Sequence, residues 1–118
     1  EEKEKLAAAL ADVNALIGEM VGFAFESQSN PKAIYKAGLN TTRLLMACGD
    51  VIVGWLLLRS AVIATNKLSG AGKDADFYNG KIAAAKFFIR TVLPHLRSEL
   101  KIVQSESGEI MEIAESAF

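Results

Sequence analysis

Residues 44–64 read LLMACGDVIVGWLLLRSAVIA and form the most apolar stretch of the chain. Only three strongly polar groups interrupt it, among them the charged Asp50 and Arg59, and it contains the only tryptophan, Trp55, and the only cysteine, Cys48. A helix that is apolar on nearly every side must be surrounded by other helices or by lipid. The stretch therefore predicts a long helix with packing partners on several sides.

The same stretch is long enough to cross a bilayer, but its charged residues argue against that role. Asp50 and Arg59 would each cost roughly 2.5–3.5 kcal/mol near the centre of a membrane. The uninterrupted apolar part, residues 51–58, is too short to span the hydrocarbon core. We therefore expect a buried helix of a cytoplasmic protein, with no membrane span.

Composition limits the classes of partner and site. A chain of 118 residues predicts one domain, and its 13 basic and 14 acidic residues give a net charge of -1. This balance offers no electrostatic reason to bind nucleic acid or anionic lipid. The single cysteine excludes an internal disulfide and a multi-cysteine zinc site, and it fits a reducing compartment.

Outward from the apolar stretch, the periodicity predicts an all-α fold, an antiparallel bundle of three long helices plus a short C-terminal helix. Asn30 is a suitable N-cap with Pro31 at the first helical position, and the glycine-rich residues 69–72 predict a turn. Pro94 should kink or split the third helix near Thr91. The predicted helices of this single domain, residues 1–118, cover residues 2–27, 31–68, 74–106 and 109–116.

Two apolar stripes at helical spacing are predicted to face the core. On the first helix the stripe comprises Leu6, Leu10, Val13, Ile17, Met20 and Ala24. On the third helix it comprises Tyr78, Ile82, Ala85, Ile89, Val92, Leu96 and Val103. Both stripes predict helices that lie along the central apolar helix.

Folding the second and third helices back about the glycine-rich turn gives their register. Trp55 should then lie beside Ala85 and its neighbours. Asp50 should come within reach of Arg90 and Arg97. Because an unpaired buried carboxylate is costly, we predict a contact between Asp50 and one of these arginines.

Four features of the sequence are candidate sites, and none carries a complete set of reactive groups. His95 has no second ligand or base at a suitable spacing, so it is interpreted as a surface or kink-associated residue, and Cys48 is interpreted as an inert core thiol. Residues 69–73, SGAGK, lack the spacing of a phosphate loop and follow no strand. Four glutamates at helical spacing favour a solvated face over a weak cation patch: Glu106, Glu109, Glu112 and Glu115. No catalytic, cofactor-binding or metal-binding residue is predicted.

Two motifs taken together carry a family resemblance. The first is GDVIVGWLLLRSA at residues 49–61, and the second is DFYNGKIAAAKFF at residues 76–88, which continues to Val-Leu-Pro at residues 92–94. In this order they resemble the C-terminal helical domain of a group of large bacterial acyl-CoA dehydrogenases. The closing residues 116–118, Ser-Ala-Phe, are similar to the end of that domain. The resemblance covers about residues 39–118, and before them only the helical pattern agrees.

The resemblance implies a parent flavoprotein that oxidises an acyl-CoA thioester to the 2,3-enoyl form with FAD as cofactor. The catalytic glutamate, the FAD site and the acyl-CoA pocket of such enzymes belong to an upstream core, so none maps onto this sequence. The implied role here is noncatalytic packing on that core or on a neighbouring subunit, with acyl-CoA bound only by the parent. Since the chain starts at Glu1 without methionine and ends in Ala-Phe, we expect a C-terminal fragment truncated before Glu1.

Two alternatives stay open. The chain is either this domain or a free-standing helical module for protein–protein interaction with no enzymatic activity. A third hypothesis places Lys81, Lys86 or Arg90 near the phosphate groups of acyl-CoA at the entrance of the parent's pocket. In isolation, an uncovered apolar face predicts self-association as a dimer.

Overall fold

The computed structural model describes residues 1–118 as helices and short turns without a strand. The four α-helices are α1 (Glu2–Glu26), α2 (Ile34–Leu68), α3 (Ala75–Thr91) and α4 (Leu96–Ser105). Short 3₁₀ turns cover Pro31–Ala33, Gly72–Asp74, Leu93–His95, Glu109–Glu112 and Glu115–Ala117. The predicted all-α class is confirmed.

The central element is α2, which packs against α1, α3 and α4, and α1 also packs against α3 and α4. Its 35 residues span about 52 Å, whereas the 25 residues of α1 span about 37 Å. α1 runs parallel to α3 and α4, which together form the third helical segment. Its Glu2 contacts Arg90 on α3, and its Glu19 contacts Gln104 on α4. The α2–α3 hairpin therefore extends beyond the first residue of α1, and the molecule is elongated, with extents of 68 × 30 × 16 Å.

Pro94 divides the third predicted helix, as expected from its missing N–H group. α3 ends at Thr91, a 3₁₀ turn follows at Leu93–His95, and α4 starts at Leu96. The His95 amide donates to the Val92 carbonyl oxygen at 3.0 Å, which gives the break one turn of tighter helix. The break leaves Leu93 and Leu96 both buried in the core.

The C-terminal tail forms two 3₁₀ turns where the sequence predicted a short α-helix over residues 109–116. Gly108 adopts a φ of 77°, which separates the tail from α4. A segment this short is marginal as an isolated helix, and no residue of the tail beyond Gly108 is buried. Lys32 Nζ lies 3.4 Å from Glu112 Oε1 and connects the tail to the start of α2.

The core consists of residues from all four helices and the Leu93–His95 turn. The third-helix stripe points inward over most of its length, but the α1 stripe is rotated from the prediction: Ala9 and Leu16 are buried, while Leu10 and Ile17 are 48% and 42% exposed. Small Ala9 allows α1 to approach its neighbours closely on this side. The core cluster comprises Ala9, Val13, Leu16, Ala47, Ile89, Leu93, Leu96, Leu100 and Val103.

The predicted environment of Trp55 is wrong. Gly54, one position earlier, faces the third helix, and a Cβ atom built on it would lie 3.1 Å from Leu93 Cδ1. Because successive residues turn by 100° around a helix, Trp55 points instead toward α1 and solvent and is 51% exposed. The Arg59 guanidinium lies 5.7 Å from the centre of its ring.

The predicted contact of Asp50 with Arg90 or Arg97 is also wrong. Arg90 pairs with the side chains of the first two glutamates, and Arg97 Nη2 lies 3.0 Å from Asp12 Oδ1. The two arginines are seven residues apart, so they share the face of the third helix that points toward α1. Asp50 lies on the opposite flank of α2, half-buried beside His95.

Candidate functional site

A polar cluster connects α2 to the start of α4. Arg43 and His95 both donate to the Glu99 carboxylate, and His95 Nε2 lies 2.6 Å from Glu99 Oε1. The cluster borders a groove of about 420 Å³ that also contains Asp50. Its only histidine is 63% exposed and its carboxylate is held by two donors, so the cluster contains no free base beside a nucleophile.

Glu99 is ionised in this cluster. Burial is the largest single influence on its carboxyl and opposes the charge, but the hydrogen bonds and the positive charges of Arg43 and His95 together outweigh it. The pKa of Glu99 therefore lies below its ordinary value. The arrangement acts as an electrostatic clamp that holds α2 against α4.

The glycine-rich turn does not form a phosphate cradle. The amides of Gly70 and Ala71 donate to the carbonyl oxygens of Lys67 and Leu68, and the Asp74 amide donates to Ala71. These donors are consumed by the turn itself. The turn reverses the chain between α2 and α3.

Two of the three cationic candidates for acyl-CoA phosphates lie near each other, and one of these two is neutralised by carboxylates. Arg90 is neutralised by Glu1 and Glu2, and its pKa is raised by the hydrogen bond to Glu2. The Lys81 ammonium lies 5.2 Å from the centre of the Phe77 ring. Lys86 faces the start of α1. Lys86 and Arg90 therefore share one region of the surface beside Glu2, whereas Lys81 lies apart from them next to Phe77.

The remaining candidates have structural contacts. Cys48 is half-buried against the core cluster. Among the four C-terminal glutamates, Glu106 accepts a hydrogen bond from the Gly108 amide at 2.9 Å, and Glu112 pairs with Lys32. No group of three or more His, Cys, Asp or Glu residues is arranged to hold a metal ion.

The most distinctive surface is apolar and lies on α1 and α2. We define the outer face as eight large side chains that are each 42–70% exposed: Leu10, Ile17, Val21, Leu45, Ile52, Trp55, Leu56 and Ile63. Their spacings of three, four or seven residues keep each set mostly on one side of its helix. Monomeric proteins seldom expose patches of this kind unless the patch binds something.

A groove joins the two halves of the outer face. It encloses about 380 Å³ between the start of α1 and the middle of α2, and its apolar lining includes Leu6, Leu10, Ile52 and Trp55. Lys3 is the one charged residue that borders it. The groove can therefore accept an apolar side chain from another surface, but it holds no group that could orient a reacting substrate.

α2 differs from the buried helix that its sequence predicts. Of its most apolar 18-residue window, 17% is buried. By length and composition alone, α1 and the helical segment Pro31–Leu68 could each cross a membrane, a test that core helices of soluble proteins also pass. The helix has partners along its inner side, whereas its outer side is exposed.

Sequence reasoning missed two polar pairs. Asp12 interrupts the apolar pattern of α1 and is 6% exposed, a signal that it needs a buried partner. Arg43 and Glu99 lie opposite each other in the predicted register of α2 and the third helix. Both pairs could have been found by asking which charged residues fall on buried faces.

Comparison with known proteins shows the family. Residues 1–114 match the family described as Acetyl-CoA dehydrogenase C-terminal like. Over 119 aligned residues, which include 99% of this chain and 20% of the relative, the sequence is 40% identical to the broad-specificity linear acyl-CoA dehydrogenase FadE5 of Mycobacterium tuberculosis.

Two proteins of Syntrophomonas wolfei, both named butyryl-CoA dehydrogenase, are also similar. One is 37% identical over 93 residues, 76% of this chain and 15% of the relative, and the other is 32% identical over 82 residues, 67% of this chain and 13% of the relative. The chain thus spans a fifth or less of the length of these relatives. The protein belongs to the Acetyl-CoA dehydrogenase C-terminal like family.

Proposed function

We propose that the chain is the noncatalytic C-terminal domain of a cytoplasmic acyl-CoA dehydrogenase and that its outer face packs on the catalytic core or on a neighbouring subunit of that enzyme. The observation that carries the proposal is the set of eight half-exposed apolar side chains on two adjoining helices. The names of the relatives support the class of parent enzyme.

The parent reaction uses groups outside this chain. In the proposed parent enzyme a carboxylate of the upstream core would serve as the base toward the acyl-CoA, and FAD bound in that core would supply the hydride-accepting chemistry. The polar clusters of this domain supply neither that base nor a flavin site. Its contribution is the stability and the assembly of the enzyme.

The proposed docking surface is itself apolar. Along α2 the outer face runs from Leu45 to Ile63, about 27 Å at 1.5 Å per residue. Arg59 is the one charge beside it on this stretch of α2, and it lies over the Trp55 ring. Because the face carries no other charge along this stretch, burial of apolar area supplies most of the binding free energy in this proposal.

Substitution within the whole enzyme tests the proposal. Ile52→Glu puts a charge in the middle of the outer face, while Phe87→Glu puts the same charge at a 70% exposed position on α3. We expect Ile52→Glu to lower the Tm of the full enzyme by several degrees and to reduce its flavin content, with Phe87→Glu close to wild type. Equal Tm values for the two variants would refute packing through this face.

The free-standing interaction module is the second candidate, and the exposed outer face favours it equally. The gene sequence upstream of the codon for Glu1 distinguishes the domain from the free-standing module. An open reading frame that continues upstream of Glu1 into a dehydrogenase-like core supports the domain, and a start codon directly before Glu1 supports the module.

A further inference from the structure

A second apolar groove lies directly ahead of α1. It has a volume of about 230 Å³ and lies between α2 and α3, with an apolar lining of Leu58, Ala61, Val62, Ile82 and Ala85. Glu2, the first residue of α1, also borders it. The groove is separate from the outer face, since none of its lining residues belongs to that face.

The groove prolongs the surface of α2 and α3 against which α1 packs. Leu6 approaches Gly54 on α2, and Glu2 pairs with Arg90 on α3. Moving upstream along α1 therefore leads toward higher numbers on α2 and toward lower numbers on α3. The groove residues Leu58 to Asn66 and Ile82 to Lys86 lie in that direction.

The part of α2 that extends beyond α1 has the length of a short helical peptide. From Leu58 to Leu68, α2 extends about 15 Å beyond the start of α1, a distance that about ten helical residues cover. A two-helix hairpin buries little apolar area without a third element, and here Val62 is left 55% exposed. The floor is made of the small residues Ala61 and Ala85, which allow a third helix to approach closely.

We propose that the ten or so residues preceding Glu1 in the parent chain continue α1 as a helix and fill this groove. The inference rests on the proposed function, which supplies a parent chain. The relatives are about five times longer than this chain, and the aligned part of FadE5 lies in its C-terminal region. Polypeptide therefore reaches the groove from its open end.

Cysteine labelling in the full enzyme tests the proposal. In a Cys48→Ser background, Val62→Cys reports on the groove, and Ile63→Cys is its matched control, because the two native side chains are 55% and 51% exposed and Ile63 lies on the outer face. Each variant is made in the natural enzyme and in one whose ten residues before Glu1 are replaced by a Gly/Ser repeat. Iodoacetamide labelling is read by mass spectrometry of the peptide that carries position 62 or 63.

The expected result is labelling at position 62 at least ten times slower in the natural enzyme than in the Gly/Ser enzyme, with position 63 unchanged. Equal labelling rates at position 62 in the two enzymes would overturn the proposal. Two fast rates would mean that the groove is open, and two slow rates would mean that another part of the enzyme covers it. Fast labelling at position 63 in both enzymes would count against packing of the outer face and leave the groove result standing.

Hydrogen exchange provides the second measurement if the Gly/Ser repeat releases the domain and changes labelling at position 63. In the natural enzyme the amides of the ten residues before Glu1 should exchange at least a hundred times more slowly than those of an unfolded peptide. Exchange at the unfolded rate would contradict a helix in the groove.

Discussion

Asp12 on α1 and Arg97 on α4 form the ion pair with the most deeply buried carboxylate in the molecule: Asp12 Oδ1 lies 3.0 Å from Arg97 Nη2, and the aspartate side chain is 8% exposed. Glu2 and Glu19, on the same helix, also accept hydrogen bonds from the third helical segment. Three carboxylates spread along α1 thus fix its register against α3 and α4. Apolar side chains alone define such a register less strictly.

Arg97→Ala should destabilise the chain by about 1–3 kcal/mol, because it leaves the Asp12 carboxylate buried without its partner. The arginine side chain is itself 61% exposed, so little apolar burial is lost. Chemical denaturation of the purified chain measures the change in the free energy of unfolding. The double variant Asp12→Asn with Arg97→Ala should recover part of the loss, since the neutral amide costs less to bury.

The matched control is Arg90→Ala, which removes an arginine that is 45% exposed from the same face of the third helix. Exposed pairs contribute about 0–1 kcal/mol, so this variant should remain close to wild type. If Arg97→Ala and Arg90→Ala cost the same, burial of Asp12 does not govern the stability of this contact.

The helices were predictable from sequence because their signals are local. The proline break near Thr91 and the turn after Leu68 follow from the properties of Pro94 and of a glycine-rich segment. The apolar spacing of residues 85–103 likewise identified most of the inner face of the third segment. These features depend on neighbours within about four residues.

The direction in which each apolar residue points was less predictable. α1 and α2 carry apolar residues on more than one face, so spacing alone does not decide whether Leu10 or Ala9 is buried. The small residues decide it: Ala9 and Gly54 bring the backbones together, and Leu10 and Trp55 turn outward. The outer face consists of the residues that turn outward in this packing, so the apolar spacing alone did not predict it.

Gly54→Ala and Gly49→Ala should have effects of opposite sign. A Cβ atom at position 54 would lie 3.1 and 3.3 Å from the Leu93 methyl groups, and Leu93 is only 2% exposed and has little room to move. Overpacking of this kind costs about 1–3 kcal/mol, more than the helix propensity gained. At position 49 nothing lies within 4 Å, so alanine should stabilise by about 0.5–1 kcal/mol.

Thermal unfolding of the two glycine variants at one protein concentration measures the difference. Gly54→Ala should have the lower Tm and Gly49→Ala a Tm at or above that of the wild type. A stabilised Gly54→Ala variant would show that Leu93 can repack, contrary to the close packing of this part of the core.

Glu99 should make the stability of the chain depend on acidic pH. Its folded pKa lies below the ordinary value of 4.5, so the unfolded chain binds more protons in this range. The stabilisation is therefore present at neutral pH and is lost as the pH falls through 4.5 toward the folded pKa. Glu99→Gln should cost about 1–2 kcal/mol at neutral pH and little in strong acid.

Unfolding curves at several pH values test this dependence, with Glu4→Gln as the control because that carboxylate is 87% exposed. The difference in the free energy of unfolding between wild type and Glu99→Gln should become steadily smaller below pH 4.5. Glu4→Gln should have the same free energy of unfolding as the wild type at every pH. A gap that stays constant into acid would mean that Glu99 contributes through packing and not through its charge.

The isolated chain should self-associate as a dimer through the outer face, because this face exposes eight large apolar side chains on two adjoining helices. Light scattering should give a mass that rises from that of one chain toward twice that value with concentration. Leu56→Glu, in the middle of the outer face, should hold the chain as a monomer, whereas Phe87→Glu on α3 should dimerise like the wild type. Because both substitutions add one negative charge at an exposed position, a monomer in both cases would trace the effect to net charge, and a wild-type mass of one chain at every concentration would remove the outer face as a self-association surface.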